Sequence, residues 1–153
     1  MTWVYFVVGA MFCWGMYGPA LAAGTGALGS GMRALLWVGV AYFLLAVLVP
    51  AIFLGTQQDN GRFILKGNII STIAGVLGAL GAICVVYAFR NGGKPDYVMP
   101  LVFGGAPVIN AIVSMIQNPP EHAPKWQFFL GVILAGVAAF LVLHFKPAMP
   151  PHR

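Results

Sequence analysis

The charged side chains of this 153-residue chain fall into a few short clusters, and between the clusters run five stretches of about twenty residues without a single charge. A hydrocarbon core of about 30 Å is crossed by roughly 20 helical residues. The pattern therefore predicts five membrane spans, at 3–23, 34–55, 67–89, 97–116 and 126–145. Only 7% of the residues are charged and 60% are hydrophobic, against about 25% charged in an average soluble domain. Five buried helices of a soluble protein would need amphipathic neighbours to cover them, and no water-facing stripe remains to do so. Spans of a β-barrel would alternate over about ten residues, whereas here the apolar runs are unbroken. The expected fold is all-α and integral to the membrane.

Organisation follows from the same pattern. One membrane domain is expected over 1–146, with a short Pro-rich tail at 147–153 that reads as an extended stub. Connections at 57–61, 91–96 and 118–124 are rich in Gly, Pro and Asn, and their shortness predicts antiparallel neighbours. Ala20-Leu21-Ala22 has the small-x-small form of a signal-peptidase site, but no basic residue precedes Arg33, so the first span is expected to be retained. Trp3, Trp37, Tyr87, Tyr97 and Trp126 lie near span ends, at headgroup level.

Several motifs can be weighed against chemistry. Gly24-Thr25-Gly26-Ala27-Leu28-Gly29 matches the string of a dinucleotide site, but that fingerprint works only between a strand and a helix, so a flexible interhelix loop is expected. The net charge of +5 comes from cations scattered one or two to a loop, which suits anionic lipid headgroups and not a nucleic-acid backbone. Cys13 and Cys84, inside apolar stretches, read as packing residues. No nucleophile and base are paired, so no catalytic residue is expected. His122 beside Glu121 lies in a Pro-rich loop and is not read as a metal site, and no cofactor is implied. His144 closes the fifth span and is expected to snorkel.

Polar and small residues inside the spans are more telling. Trp14, Gly15, Tyr17, Gly18 and Pro19 follow one another in the first span. Pro19 lacks a donor and crowds the carbonyl four residues earlier, so this helix is expected to kink or open in its second half. The third span carries Gly67, Ser71, Ala74, Gly75, Gly78, Gly81 and Ala82, and the fifth Gly131, Ala135 and Ala139, faces suited to close helix packing. In the fourth span Ala106, Asn110 and Ser114 are spaced by four, just after Gly104, Gly105 and around Pro107. An amide at that depth serves either as glue between helices or as a substrate contact. No Asp, Glu, Lys or Arg lies within a span, so a buried carboxylate relay for protons is not available.

The order Trp14-Gly15 in the first span, Arg33 opening the second, a glycine-rich third span ending in Tyr87-Ala88-Phe89, Pro107 within the fourth, and Glu121 with Gly131 and Gly136 entering the fifth resembles the EamA-like repeat of the drug/metabolite transporter superfamily. The smaller four-helix multidrug members resemble the chain less, because their acid in the first helix has no counterpart near Trp14. The resemblance covers nearly the whole chain and amounts to one repeat, where most members join two inverted repeats around a substrate cavity. It implies a transporter subunit of the cytoplasmic membrane that moves a small metabolite, as a homodimer or with a second inverted five-helix subunit. Trp14 and Tyr17 would then be stacking surfaces on the substrate path, Asn110 and Ser114 hydrogen-bonding groups, and Gly18-Pro19 a hinge, with Pro107 beside them. The alternative is a non-transporting membrane partner or assembly protein, marked by packing faces without a cavity.

With five spans the two ends lie on opposite sides. The amino-terminal side carries Arg62, Lys66 and Lys125, and the other side Arg33, Arg90, Lys94, Lys146 and Arg153. The excess of two favours an outside amino terminus, yet so small a bias permits insertion both ways. A cysteine introduced at the carboxyl end, in a background lacking Cys13 and Cys84, should be labelled by an impermeant reagent in about half the molecules if both orientations occur. Because the two-repeat members that the chain resembles pair inverted halves, a dimer is expected, with an antiparallel pair favoured over a parallel one. Complete protection in intact cells would rule out the antiparallel pair and leave a parallel homodimer or a separate inverted partner.

Overall fold

A computed structural model describes residues 2–56, 61–120 and 124–145. Lys146, Arg153, Glu121, His122 and the tail at 147–153, all weighed above, lie outside the described residues. The chain divides into two compact units, Met1–Gly92 and Gly93–Arg153.

The first unit holds α1 (Trp3–Leu28), α2 (Gly31–Phe43), a π-helical turn (Leu44–Leu48), α3 (Val49–Thr56) and α4 (Leu65–Arg90); the second holds α5 (Pro95–Gln117) and α6 (Trp126–His144). The segment Gly31–Thr56 is one continuous helix made of α2, the π turn and α3, so among the described residues five helices are long and apolar enough to cross a membrane, as expected from the sequence. Among the described residues there is no strand. Hydrocarbon offers no partner to a free N–H or C=O, so the backbone of such a segment is satisfied only by its own helical ladder. At 1.5 Å per residue, the 26 residues of α1 and of α4 extend about 39 Å, enough to cross a bilayer core of about 30 Å.

The first connection is much shorter than the sequence suggests. Of the stretch read as a loop, 24–29, residues 24–28 are the end of α1 and only Gly29 lies outside it, and α2 already begins at Gly31. Gly24 and Gly26 keep helical geometry, and only Gly29, at φ 62, enters the left-handed region that ends a helix, its N–H donating to the Gly26 carbonyl at 3.3 Å. Arg33 reaches back across this turn, and its guanidinium donates to the Leu28 carbonyl at 3.4 Å. A freed carbonyl at the α1 terminus thereby gains a cationic donor, the charge that a helix C-terminus favours.

A second difference concerns proline. α1 runs as an unbroken helix through Pro19, so of the kink or opening expected there, the helix does not open. The irregularity lies instead at Leu44–Leu48, two residues before Pro50. Pro50 cannot donate to the Ala46 carbonyl and its ring crowds that oxygen; widening the turn by one residue relieves both.

Packing is concentrated at few points. In the first unit α1 meets α2, and α2 meets α4. A Cβ built on Gly31 would lie 2.5 Å from Val86 Cγ1, so α2 starts hard against the end of α4, with Ala34 and Val86 buried beside the contact. In the second unit α5 packs on α6, and a Cβ on Gly104 would come within 2.8 Å of Ala139 Cβ and 3.4 Å of the Ala135 carbonyl. Of the small residues noted on the fifth span, Ala135 and Ala139 thus make the contact, while Gly131 is exposed. Among the described residues of the first unit, the small-residue stripe of α4 is largely uncovered: Gly67, Gly75, Gly78 and Gly81 have open space around them, and only Ala82, nearest the Val86 contact, is half-buried.

These contacts predict a paired outcome. Gly104→Ala should lower equilibrium stability in detergent or bicelles by about 1–3 kcal/mol through overpacking, and Ala139→Gly should restore much of it. Gly105→Ala, with nothing within 4 Å of the new methyl, should be close to neutral.

Candidate functional site

The residues singled out by sequence divide between the two units. Trp14, Tyr17, Gly18 and Pro19 lie on α1, and Pro107, Asn110 and Ser114 on α5.

On α1, positions 14, 18, 21 and 25 follow one another at spacings of four and three and so share one face. Gly18 and Leu21 on that face are buried and Thr25 is half-buried, whereas Trp14 is 63% exposed. The change is abrupt along the helix. Every described residue of α1 up to Met16 is exposed, and on the helix that returns beside it every residue from Gly39 to Thr56 is exposed as well. The two helices therefore pack near their connecting turn and part beyond Tyr17 and Val38. Trp14 stands where the wedge opens, on the continuation of the packing face. Pro19 points away, exposed.

Two hydroxyls near this wedge are unusual. Tyr17 Oη and Thr25 Oγ1 are enclosed and have no hydrogen-bond partner. A helical threonine normally donates back to the carbonyl four residues earlier, as Thr72 does to Asn68 at 2.8 Å and Thr56 to Ile52 at 3.0 Å. Thr25 does not, and its methyl instead faces the start of α2, 3.7 Å from the Cβ position of Gly31. Sequence reasoning passed over Thr25 because it assigned the residue to a loop. The usable signal was a lone threonine one turn before a helix-ending glycine.

On α5 the half-covered residues Leu101, Gly104, Val108, Ala111 and Met115 recur three or four apart, forming a stripe that includes the Gly104 contact with α6. Asn110 and Ser114 are turned away from that stripe, and both are exposed, as is Pro107. The amide of Asn110 is thus not glue between α5 and α6. At the far end of α6, His144 stacks on Phe140 with ring centroids 5.7 Å apart and meets Phe145 edge-on at 4.8 Å. Cys13 and Cys84, read from sequence as packing residues, are both free and exposed; apolar neighbours in the chain describe lipid-facing and packed positions alike.

Comparison with protein-family models, with curated proteins and with solved structures finds no match.

A buried hydroxyl without a partner destabilises a fold by about 1–3 kcal/mol. Tyr17→Phe and Thr25→Val should therefore leave the solute-free protein as stable as the parent or raise its stability by about 1 kcal/mol, measured by equilibrium unfolding. A loss larger than that would show that the hydroxyls have partners in the membrane-embedded protein.

Proposed function

We propose that the chain is a transporter subunit of the EamA-like type, acting in the cytoplasmic membrane with its amino terminus outside, and moving a small neutral or zwitterionic metabolite by alternating access. The observation that carries this reading is the polar face of α5: Asn110 and Ser114 lie off the stripe that packs on α6, in a helix long and apolar enough to span. Left against hydrocarbon, an amide and a hydroxyl are costly. They gain partners when a second subunit closes over them and water or a polar solute occupies the space between. A homodimer, or a pairing with an inverted five-helix subunit, supplies that enclosure. The open wedge beside Trp14, with the unpartnered Tyr17 and Thr25 hydroxyls at its closed end, adds an aromatic surface and two hydrogen-bonding groups on α1.

One observation favours a second reading. The exposed small-residue stripe of α4, from Gly67 to Gly81, is the kind of surface that docks another helix, as in a membrane assembly protein that moves nothing. Solute flux separates the two. Metabolite profiles of cells with and without the protein should differ in a polar, uncharged or zwitterionic compound, and the purified protein should move that compound into proteoliposomes. Asn110→Ala and Ser114→Ala together should reduce the flux at least about tenfold, equivalent to about 1.4 kcal/mol, with little change in the amount of folded protein. Flux should persist without a pH gradient, since the carboxylate and the lysine of the spanning helices, Asp96 and Lys66, lie in the first turns of α5 and α4 and none lies deeper. A dependence abolished by His144→Ala would contradict this, and absence of flux for every differing metabolite would favour the assembly reading.

A further inference from the structure

The wedge between α1 and the helix that follows it has two long walls of unequal construction. The α1 wall is a single helix of 26 residues, unbroken through Pro19. The opposite wall is anchored only at its start, where Gly31 abuts Val86 and Ala34 is 5% exposed. It then passes through the π turn at Leu44–Leu48 and continues as α3, whose main contacts are with that turn alone.

Two features loosen the ladder at the same place. In a π turn the N–H donates to the carbonyl five residues back, so the register of hydrogen bonds changes on entry and on exit. Pro50 follows within one turn and brings no donor at all. Beyond it α3 is self-contained: the Thr56 hydroxyl donates to the Ile52 and Phe53 carbonyls at 3.0 and 3.2 Å, closing the last turn on itself. A short rigid helix, free along its length and joined through a thinned stretch of ladder, is a lever on a pivot. Sharp bends in helices occur at prolines and at π turns, and here both coincide.

We infer that Val49–Thr56 is a hinged gate that swings about Leu44–Leu48 and Pro50 toward the first half of α1, closing the wedge over Trp14 at the amino-terminal face of the membrane. Ile52 and Phe53, both large and exposed, are the side chains it carries. In the open position Trp14 is accessible; in the closed position the gate covers it. The gating role rests on the transport reading given above, whereas the hinge itself does not.

The experiment measures the wedge directly. Full-length protein lacking Cys13 and Cys84 is spin-labelled at Phe6→Cys and Phe53→Cys, residues that lie at matching heights on the two walls, and diluted with unlabelled protein in lipid nanodiscs. The distance distribution by pulsed electron resonance should be broad or two-peaked. A control pair near the connecting turn, Ala23→Cys with Leu36→Cys, should give one narrow peak. Pro50→Ala, which returns a donor to the ladder, should narrow the Phe6–Phe53 distribution toward the control and reduce flux at least about tenfold. A Phe6–Phe53 distribution as narrow as the control overturns the hinge, even if Pro50→Ala fails to fold. A hinge that locks with flux unchanged overturns the gate. If no solute is moved by any form, the transport reading fails, and the two distance distributions still decide the hinge.

Discussion

For five helices long and apolar enough to cross a membrane, the governing constraint is that a backbone placed in hydrocarbon must satisfy its own polar groups. Water competes for a carbonyl in a soluble helix and repairs a defect at its surface; inside a bilayer neither occurs. That is why Gly24 and Gly26, weak helix formers, stay in α1 up to the one residue that turns left-handed. It also explains why the prolines are handled differently from one another. Pro19 lies among Gly15, Gly18 and Ala20, and Pro107 among Gly104, Gly105 and Ala106, where small neighbours let a carbonyl tilt without a change of register. Pro50 follows Leu44, Leu45, Val47, Leu48 and Val49, and there the helix widens instead.

Packing obeys a different logic from that of a soluble core. Lipid tails solvate leucine as well as other leucines do, so helices associate where backbones can approach closely and dispersion is dense. The contacts at Gly31 with Val86 and at Gly104 with Ala139 are of this kind. Most large apolar side chains remain on the outside of each unit, which in a membrane is their solvated state. The polar exceptions are therefore the informative positions: Asn110 and Ser114 on α5, and the enclosed hydroxyls of Tyr17 and Thr25 on α1.

The five long apolar helices were legible in sequence because charge exclusion and length are properties of single segments. The α5 polar face was legible for the same reason, since a spacing of four fixes Asn110 and Ser114 to one side whatever surrounds them. What escaped was relational. Thr25 is notable only because α2 starts beside it, and the π turn only because Pro50 meets a crowded run within a span read as uniform. The α4 stripe was correctly seen as smooth, but smoothness does not name a partner, and inside the chain α4 packs one turn farther on, at Val86. Glycine in the 24–29 string was read with soluble-protein weights, which overstate its power to break a helix in lipid.

The two-residue turn at Gly29 and Ser30 reaches beyond geometry, into how the protein is made. In a bilayer, two apolar helices joined by two residues would enter together, as a hairpin, and not one after the other on separate decisions. The connection is too short to expose a site for a protease or a sugar-transferring enzyme, so neither can hold the turn on one side after synthesis. Arg33, tethered to the end of α1, is the nearest fixed charge that the insertion machinery can sense. The sidedness of α1 and of the span that follows it is accordingly one choice, made once, and inherited by both.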